Sequence, residues 1–340
     1  PENMAFAIYL TGAFIAGFSM CMLNTVVNPM LNTLGGGGKR GNQLIQFGGS
    51  LNSISATIVP VFVGYLIGNV ATATINKANP ALFIAIGIFA LAFVVLFFME
   101  IPEPAQEIEA KKKPGEKDPY SALSFRHFIL GAIAIFLYVG VEVGIPNFVN
   151  LFLSTPVNPT DSAAVPGLGY EAALAGSICG TYWFLMLIGR LVGGFLGGRF
   201  SSKAMLTFVS SLGLIFVLLA ICLPTSIKVD MPVFQSDISF GLAEVPIGIM
   251  FLILCGLCTS VMWGGIFNLA VEGLGKYTAM ASGIFMMLVC GGGILPLIQG
   301  GVADLFGYMA SYWVVFAALI YMLFYAVIGC KNVNKDIPVD

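Results

Sequence analysis

Residues 126–153 read RHFILGAIAIFLYVGVEVGIPNFVNLFL, an apolar stretch whose interior carries one acidic residue, Glu142. About 20 apolar residues suffice for a helix to cross the hydrocarbon core of a bilayer, so this stretch can span a membrane. Further long apolar runs lie at residues 4–31, 43–70, 81–100, 170–198, 204–224, 246–272, 277–302 and 311–330. These runs are too long for strands and lack the alternation of an outer-membrane barrel. The sequence therefore predicts an all-α membrane protein, a helical bundle of about nine spans.

The composition supports a membrane protein. Hydrophobic residues make up 58% of the chain and charged residues 9%, whereas a soluble domain has about 25% charged residues. The net charge of −2 indicates no nucleic-acid partner. The seven cysteines lie in or at the ends of apolar runs, where we interpret them as small buried residues. We predict no metal site and no cofactor.

One polar segment, residues 101–125 (IPEPAQEIEAKKKPGEKDPYSALSF), divides three spans from six. Many transporters consist of two six-helix halves joined by a cytoplasmic linker. We therefore expect that three preceding helices are missing from this chain; a native nine-span protein is the alternative. The expected domains are residues 1–100 (helices 4–6 of twelve), the linker 101–125, a six-helix bundle at 126–330 (helices 7–12) and a cytoplasmic tail at 331–340.

Basic residues set the expected orientation. If each run crosses the membrane once, all 15 Lys and Arg except Lys77 and Lys228 fall on one side. The positive-inside rule makes that side cytoplasmic. We thus expect a multi-pass protein of a bacterial inner membrane with a cytoplasmic C-terminus. The loops at 154–169 and 225–245 then face outward.

Glu142 is the acidic residue deepest within a span, and a carboxylate near the bilayer centre costs about 2.5–3.5 kcal/mol. Pro146 cannot donate to the carbonyl of residue 142, which predicts a bent helix beside a water-filled cavity. Tyr138 lies one turn earlier on the same face, and Asn147 follows toward the outside. We predict that Glu142 handles solute or protons. The alternative is a protonated or paired residue that packs between helices.

The first two runs also carry polar side chains at helical spacing. Asn24 and Asn28 share a face of the first run. The second run carries a polar stripe along one face, which consists of Gln46, Ser50, Ser53 and Thr57. Asn52 lies roughly 100° around the helix from this stripe. Uncharged amides and hydroxyls that line a cavity suit a neutral polyhydroxylated ligand. The alternative is polar packing between helices.

The later runs supply further candidates. Trp263 lies well inside its run, where an aromatic face can stack on a sugar ring. The other candidates are Tyr182, Trp183, Asn268 and Gln299. A basic cluster at a short cytoplasmic turn consists of Arg190, Arg199 and Lys203. We predict that this cluster gates the protein by pairing with a carboxylate or a helix C-terminus when the inside is closed. Simple positive-inside anchoring is the alternative.

Several stretches resemble the fucose–galactose–glucose:proton symporters of the major facilitator superfamily, especially their glucose/galactose branch. The stretches are NTVVNPMLNTLG (24–35), QFGGSLNS (46–53), AIFLYVGVEVGI (134–145), IFNLAVEGLGKYT (266–278) and SGIFMMLVCGGGILPLIQGGVAD (282–304). The G-R-x-x-G at 189–193 also fits the superfamily's cytoplasmic loop signature. The resemblance covers essentially the whole chain and implies a twelve-helix fold, alternating access and proton-coupled uptake of a neutral hexose.

The resemblance also implies roles for individual residues. Asn52 matches an asparagine at the family's sugar site, and Glu142 matches an acidic residue of the seventh helix. Asn24 stands where members often have glutamate, and Gly49 where many have glutamine. The family's acidic coupling residue on its first helix has no counterpart here.

Our leading interpretation is a secondary active hexose:proton symporter, with proton coupling at Glu142. Its cavity is expected to be built from Asn24, Asn28, Gln46, Asn52, Glu142 and Trp263. The expected partners are a hexose, a proton or sodium ion and membrane lipids, and we expect a monomer. The alternatives are an efflux pump, a facilitator for another small solute and a membrane sugar sensor that does not transport. A membrane-embedded enzyme is disfavoured because the chain has one His and one deep carboxylate.

Overall fold

A computed structural model describes residues 2–36, 38–67, 75–99, 119–157, 165–235, 239–334 and 336–339. Residues 101–118 of the predicted linker lie outside these ranges. The helices are α1 (Glu2–Leu34), α2 (Gly38–Ile67), α3 (Ile75–Phe98), α4 (Arg126–Ser154), α5 (Ala172–Gly197), α6 (Ser202–Cys222), α7 (Ile247–Thr259), α8 (Met262–Val271), α9 (Thr278–Met287), α10 (Gly291–Phe306) and α11 (Tyr308–Phe324). The strands are β1 (Lys228–Phe234) and β2 (Phe240–Pro246).

Eight stretches of the described chain are long and apolar enough to cross a membrane. They comprise α1, α3, α4, α5, α6, α7 with α8, α9 with α10, and α11 with the π-turn Tyr325–Gly329 that follows it. The ninth predicted run coincides with α2, which carries the polar stripe and is not among the eight. The all-α membrane fold is therefore confirmed. Each predicted run coincides with a helix or with two consecutive helices.

Two of the predicted runs are each divided into two helices. Hydroxyl side chains divide the run at 246–272, and a close backbone contact accompanies the division of the run at 277–302. Between α7 and α8, the Thr259 hydroxyl donates to the Cys255 carbonyl at 3.1 Å and the Ser260 hydroxyl to the Leu257 carbonyl at 2.6 Å. Hydroxyls that bond the preceding turn compete with the helix's own amides and bend the helix. A short 3₁₀ turn at Leu288–Cys290 separates α9 from α10. There, a Cβ on Gly291 would collide with the Phe136 backbone of α4, so glycine permits this close approach.

Helices α4 to α11 enclose the core, and α2 packs along α5 and α8. By contrast, the membrane-length stretches of α1 and α3 have no buried residue in their apolar windows. The α1–α2 turn, the α5–α6 turn and the end of α8 lie with the C-terminal tail at one end of the bundle. We call this end, which includes Lys39, Arg199 and Lys203, the basic end.

The predicted outer loop 225–245 contains an antiparallel β-hairpin of β1 and β2. One face is buried through Met231, Val233, Ala243 and Val245. The Phe234 amide donates to the Thr181 hydroxyl of α5 at 2.9 Å, and its ring stacks on Phe184. The hairpin is thus a packed element because alternate apolar side chains face α5 and α7.

Candidate functional site

A buried ion pair joins α4 and α5. The Arg190 guanidinium lies 3.1 Å, Nη2 to Oε1, from the Glu142 carboxylate, and the side chains are 10% and 15% exposed, respectively. Glu142 belongs to α4, one turn before Pro146, and Arg190 belongs to α5. Two unlike charges at this separation within an apolar bundle attract strongly because little water screens them.

The same guanidinium also holds α2. Its Nη1 donates to the Gly49 carbonyl at 2.9 Å and to the Ser53 hydroxyl at 2.8 Å. A Cβ placed on Gly49 would lie 3.4 Å from Cδ of Arg190, so the absence of a longer side chain leaves room for the guanidinium. Arg190 therefore links a carboxylate on α4 to the backbone of α2.

A second contact joins α2 to the break between α7 and α8. The Gln46 side-chain amide donates to the Val261 carbonyl at 3.0 Å, and the Ser50 hydroxyl donates to the Gln46 carbonyl at 2.9 Å. Gln46, Ser50 and Ser53 are 2–3% exposed. Gln46 and Ser53 therefore bond groups on other helices, and the buried Ser50 bonds within α2.

Two buried tyrosines extend the network. The Tyr138 hydroxyl donates to the Thr259 carbonyl at 3.1 Å, and the Tyr182 hydroxyl lies 2.9 Å from the Thr259 hydroxyl. Tyr138 precedes Glu142 by one helical turn, as its spacing predicted. The network thus draws residues from α2, α4, α5 and α7.

The sequence grouped Arg190 with Arg199 and Lys203 at a cytoplasmic turn, but the structure separates them. Arg190 lies seven residues before the end of α5, about 10 Å inside the bundle. It shares a buried helical face with Cys179, Tyr182 and Met186. That spacing was visible in the sequence and would have placed Arg190 inside. Thr259 gave no comparable signal because its role depends on the helix break.

Several predicted sugar-site residues lie away from this network. Asn52 and Asn24 are exposed on the first two helices, and Asn147 is exposed on α4. Asn28 belongs to α1, but its side chain lies outside the described part of the chain. Of the candidates predicted from the sequence to line the cavity, the network contains Gln46, Ser50, Ser53, Tyr138, Glu142 and Tyr182.

The remaining candidates occupy three different places. Trp263 is half-buried and stacks on Phe267, with ring centroids 5.4 Å apart. Gln299 is fully buried and donates to the Ser311 hydroxyl at 3.3 Å. Asn268 lies near the basic end, where its amide donates to a serine hydroxyl of α6.

Contacts at the basic end hold the other two members of the predicted gate. The Lys39 ammonium of α2 donates to the Arg199 carbonyl at 3.2 Å. The Lys203 ammonium donates to the Val327 carbonyl at 3.0 Å, at the end of the last membrane-length stretch. The first of these bonds ties α2 to the α5–α6 turn.

Within the described ranges, no three His, Cys, Asp or Glu side chains gather in a way that could hold a metal ion. The carboxylate of the network can bind and release a proton, and its hydroxyl, amide and guanidinium groups can rearrange their hydrogen bonds. Membrane-length helices around a buried, breakable ion pair are typical of a multi-pass membrane transporter.

The comparisons define this class further. The family model described as Major Facilitator Superfamily matches residues 4–296, and the chain belongs to that superfamily of transporters. It is a multi-pass membrane transporter and not an enzyme.

Two characterised relatives and a solved structure are similar over most of the chain. A glucose/galactose transporter of Brucella abortus is 31% identical over 329 residues, which cover 96% of this chain and 73% of the relative. The L-fucose-proton symporter of Escherichia coli is 24% identical, covering 96% of this chain and 72% of the relative. The crystal structure of the transporter FucP in the outward conformation matches with a TM-score of 0.74 at 20% identity, covering 97% of this chain and 78% of that chain.

Proposed function

We propose that this protein imports a neutral hexose (glucose, galactose or fucose) across a bacterial inner membrane by alternating access coupled to protons. The names of the relatives from Brucella abortus and Escherichia coli support the substrate class and the coupling ion. The observation that carries the proposal is the Glu142–Arg190 pair, which ties α4 and α5 to α2.

Proton coupling follows from the charge balance of this pair. Arginine does not lose its proton in proteins, so its buried charge needs a partner or water. While Glu142 is ionised, the carboxylate satisfies Arg190 and the guanidinium keeps its bonds to α2. A proton on Glu142 removes the negative partner, which favours an arrangement that admits water or solute hydroxyls to Arg190. Proton binding is thereby linked to the separation of α2 from α5.

The sugar is proposed to bind at the exposed amides of α1 and α2. Asn24 and Asn52 offer donors and acceptors for hydroxyl groups, and Trp263 offers an aromatic face. The basic end is proposed to be cytoplasmic, which places the C-terminus inside and the β-hairpin outside.

The test is transport of labelled glucose, galactose and fucose in vesicles that carry the complete reading frame, with and without a proton gradient. We expect sugar-specific counterflow in both conditions and accumulation with the gradient alone. Glu142→Gln is expected to retain counterflow and lose accumulation. The matched control is Glu244→Gln on the β-hairpin, whose side chain is 62% exposed and which should accumulate sugar normally.

Other results would change the proposal in defined ways. Exchange without accumulation in the unmodified protein would indicate a facilitator or another coupling ion. Accumulation that survives Glu142→Gln would remove Glu142 from the coupling step. The absence of exchange for all three hexoses would overturn the substrate class.

A further inference from the structure

A cavity of about 690 Å³ lies at the basic end, on the side of the bundle where α2 begins. The side chains that matter for its chemistry are Lys39, Lys203, Asn268, Glu272, Lys331 and Asn332. They come from α2, α6, α8, the turn after α8 and the C-terminal tail. A cavity of this size is within the range of small-molecule sites, about 300–1,000 Å³.

The cavity is electropositive. Three lysines and one glutamate line it, which leaves a net charge of +2. Lys39 and Lys203 each hold one backbone carbonyl at 3.0–3.2 Å. An ammonium has three donors, so each of these lysines keeps donors for a further acceptor. The two carbonyl bonds restrain both ammonium groups beside the cavity.

Neutral polar groups accompany the lysines. Asn268 is 6% exposed, and its amide is oriented by a 2.9 Å bond to the Ser202 hydroxyl. Asn332 adds a second amide, and Ser201 and Ser202 add hydroxyls. Compact ammonium charges suit phosphate oxygens, while amides and hydroxyls suit the rest of a polar ester. We infer that this cavity binds a phosphate-bearing anion, either a soluble phosphate ester or a phospholipid headgroup.

The ligand would act on the contact between α2 and the later helices. Lys39 is the member of the site that belongs to α2, and its bond to the Arg199 carbonyl joins α2 to the α5–α6 turn. A phosphate that bridges Lys39 to Lys203 or Lys331 binds best while α2 stays in place. It therefore stabilises the arrangement in which the basic end is closed. This inference does not depend on the identity of the transported solute.

Binding to the purified full-length protein in a phosphate-free maltoside detergent tests the inference. The probes are inorganic phosphate and glucose 6-phosphate, with unphosphorylated glucose as the reference, and the readouts are calorimetry and thermal melting. Removing a charge-assisted bond costs about 1.5–3 kcal/mol. We therefore expect Lys203→Gln and Lys331→Gln each to weaken binding by about tenfold or more. Arg126→Gln, at the same end but outside the cavity, should bind normally.

Glu272→Gln distinguishes an effect on the phosphate site from general destabilisation of the protein. Removal of the repelling carboxylate should tighten phosphate binding severalfold, which a destabilised protein would not show. A second arm uses nanodiscs that contain phosphatidylglycerol. Lysine-dependent stabilisation in this arm alone would identify the lipid headgroup as the source. Saturable binding in the first arm identifies a soluble phosphate. Failure of both arms, or binding that ignores Lys203, Lys331 and Glu272, would overturn the inference.

Discussion

Replacement of Glu142 by glutamine leaves the Arg190 guanidinium in an apolar bundle without its carboxylate. Removal of one partner of a buried ion pair destabilises a protein by about 3–5 kcal/mol because the remaining charge is uncompensated. The two side chains are 10% and 15% exposed, so water can reach the guanidinium that remains. We therefore expect a cost for Glu142→Gln at the lower end, about 3 kcal/mol.

Arg190→Gln should cost less, because the carboxylate left behind can take up a proton and become neutral. The Arg190→Gln variant loses the two hydrogen bonds to α2. At about 1 kcal/mol per hydrogen bond, we expect its unfolding free energy to fall by about 2 kcal/mol. In the double variant no buried charge remains. The double variant should therefore lose about 3 kcal/mol of unfolding free energy, whereas the losses of the two single variants add up to about 5 kcal/mol. The coupling energy between the two side chains is then about 2 kcal/mol.

The assay is thermal unfolding in detergent at a fixed heating rate, followed by tryptophan fluorescence. For a chain of this size, about 1 kcal/mol corresponds to about 2 °C in apparent Tm. Glu142→Gln should therefore lower Tm by about 6 °C, and the double variant by a similar amount. Additive losses in the double variant would show that the two side chains do not stabilise each other, and the coupling scheme would fail with them.

Three further substitutions test other contacts. Gln46→Ala removes the bond from α2 to the α7–α8 break and should lower stability by about 1 kcal/mol in the same melting assay while Glu142-dependent accumulation persists. Gly291→Ala forces a Cβ against the Phe136 backbone and should abolish the monodisperse peak in size-exclusion chromatography, whereas Gly293→Ala, with open space around its Cβ, should elute normally. Trp263→Ala should raise the KM for sugar counterflow by about three- to tenfold, because contact with an aromatic face contributes about 0.5–1.5 kcal/mol. Trp263→Phe keeps an aromatic ring and should raise the KM by less. An unchanged KM in both variants would remove Trp263 from the sugar site.

The helices could be predicted because lipid imposes a simple requirement. A spanning helix needs an unbroken apolar run, and each predicted run coincides with helical structure. The breaks within 246–272 and 277–302 could not be predicted from hydropathy. They depend on which carbonyl the Thr259 and Ser260 hydroxyls bond and on how closely α9 and α10 approach α4. The β-hairpin was missed because its alternation lies in a segment too polar to read as a span.

Part of the site was also visible in the sequence. Glu142 and Tyr138 stood out as polar groups one turn apart in an apolar run, and they do lie in one network. Arg190 was misplaced because basic residues near a helix end usually extend to the membrane surface. Periodicity showed that Gln46, Ser50 and Ser53 share a face of α2. It could not show that α5 and α8 cover this face, since that depends on the packing of segments far apart in the chain.

The contacts of α2 explain how two distant sites can act on one event. Lys39, Gln46 and Ser53 lie within 15 residues of one helix, about 21 Å from first to last. All three bond groups on α5, the α5–α6 turn or the α7–α8 break. Most of the acceptors in these contacts are backbone carbonyls, which cannot rotate away as side chains do. A rigid movement of α2 therefore breaks the contacts together, so the closed and separated arrangements are discrete. Under the two proposals made above, a proton on Glu142 weakens this contact surface and a phosphate at the basic end strengthens it. Opposing effects on one rigid helix couple the two sites without any further path between them.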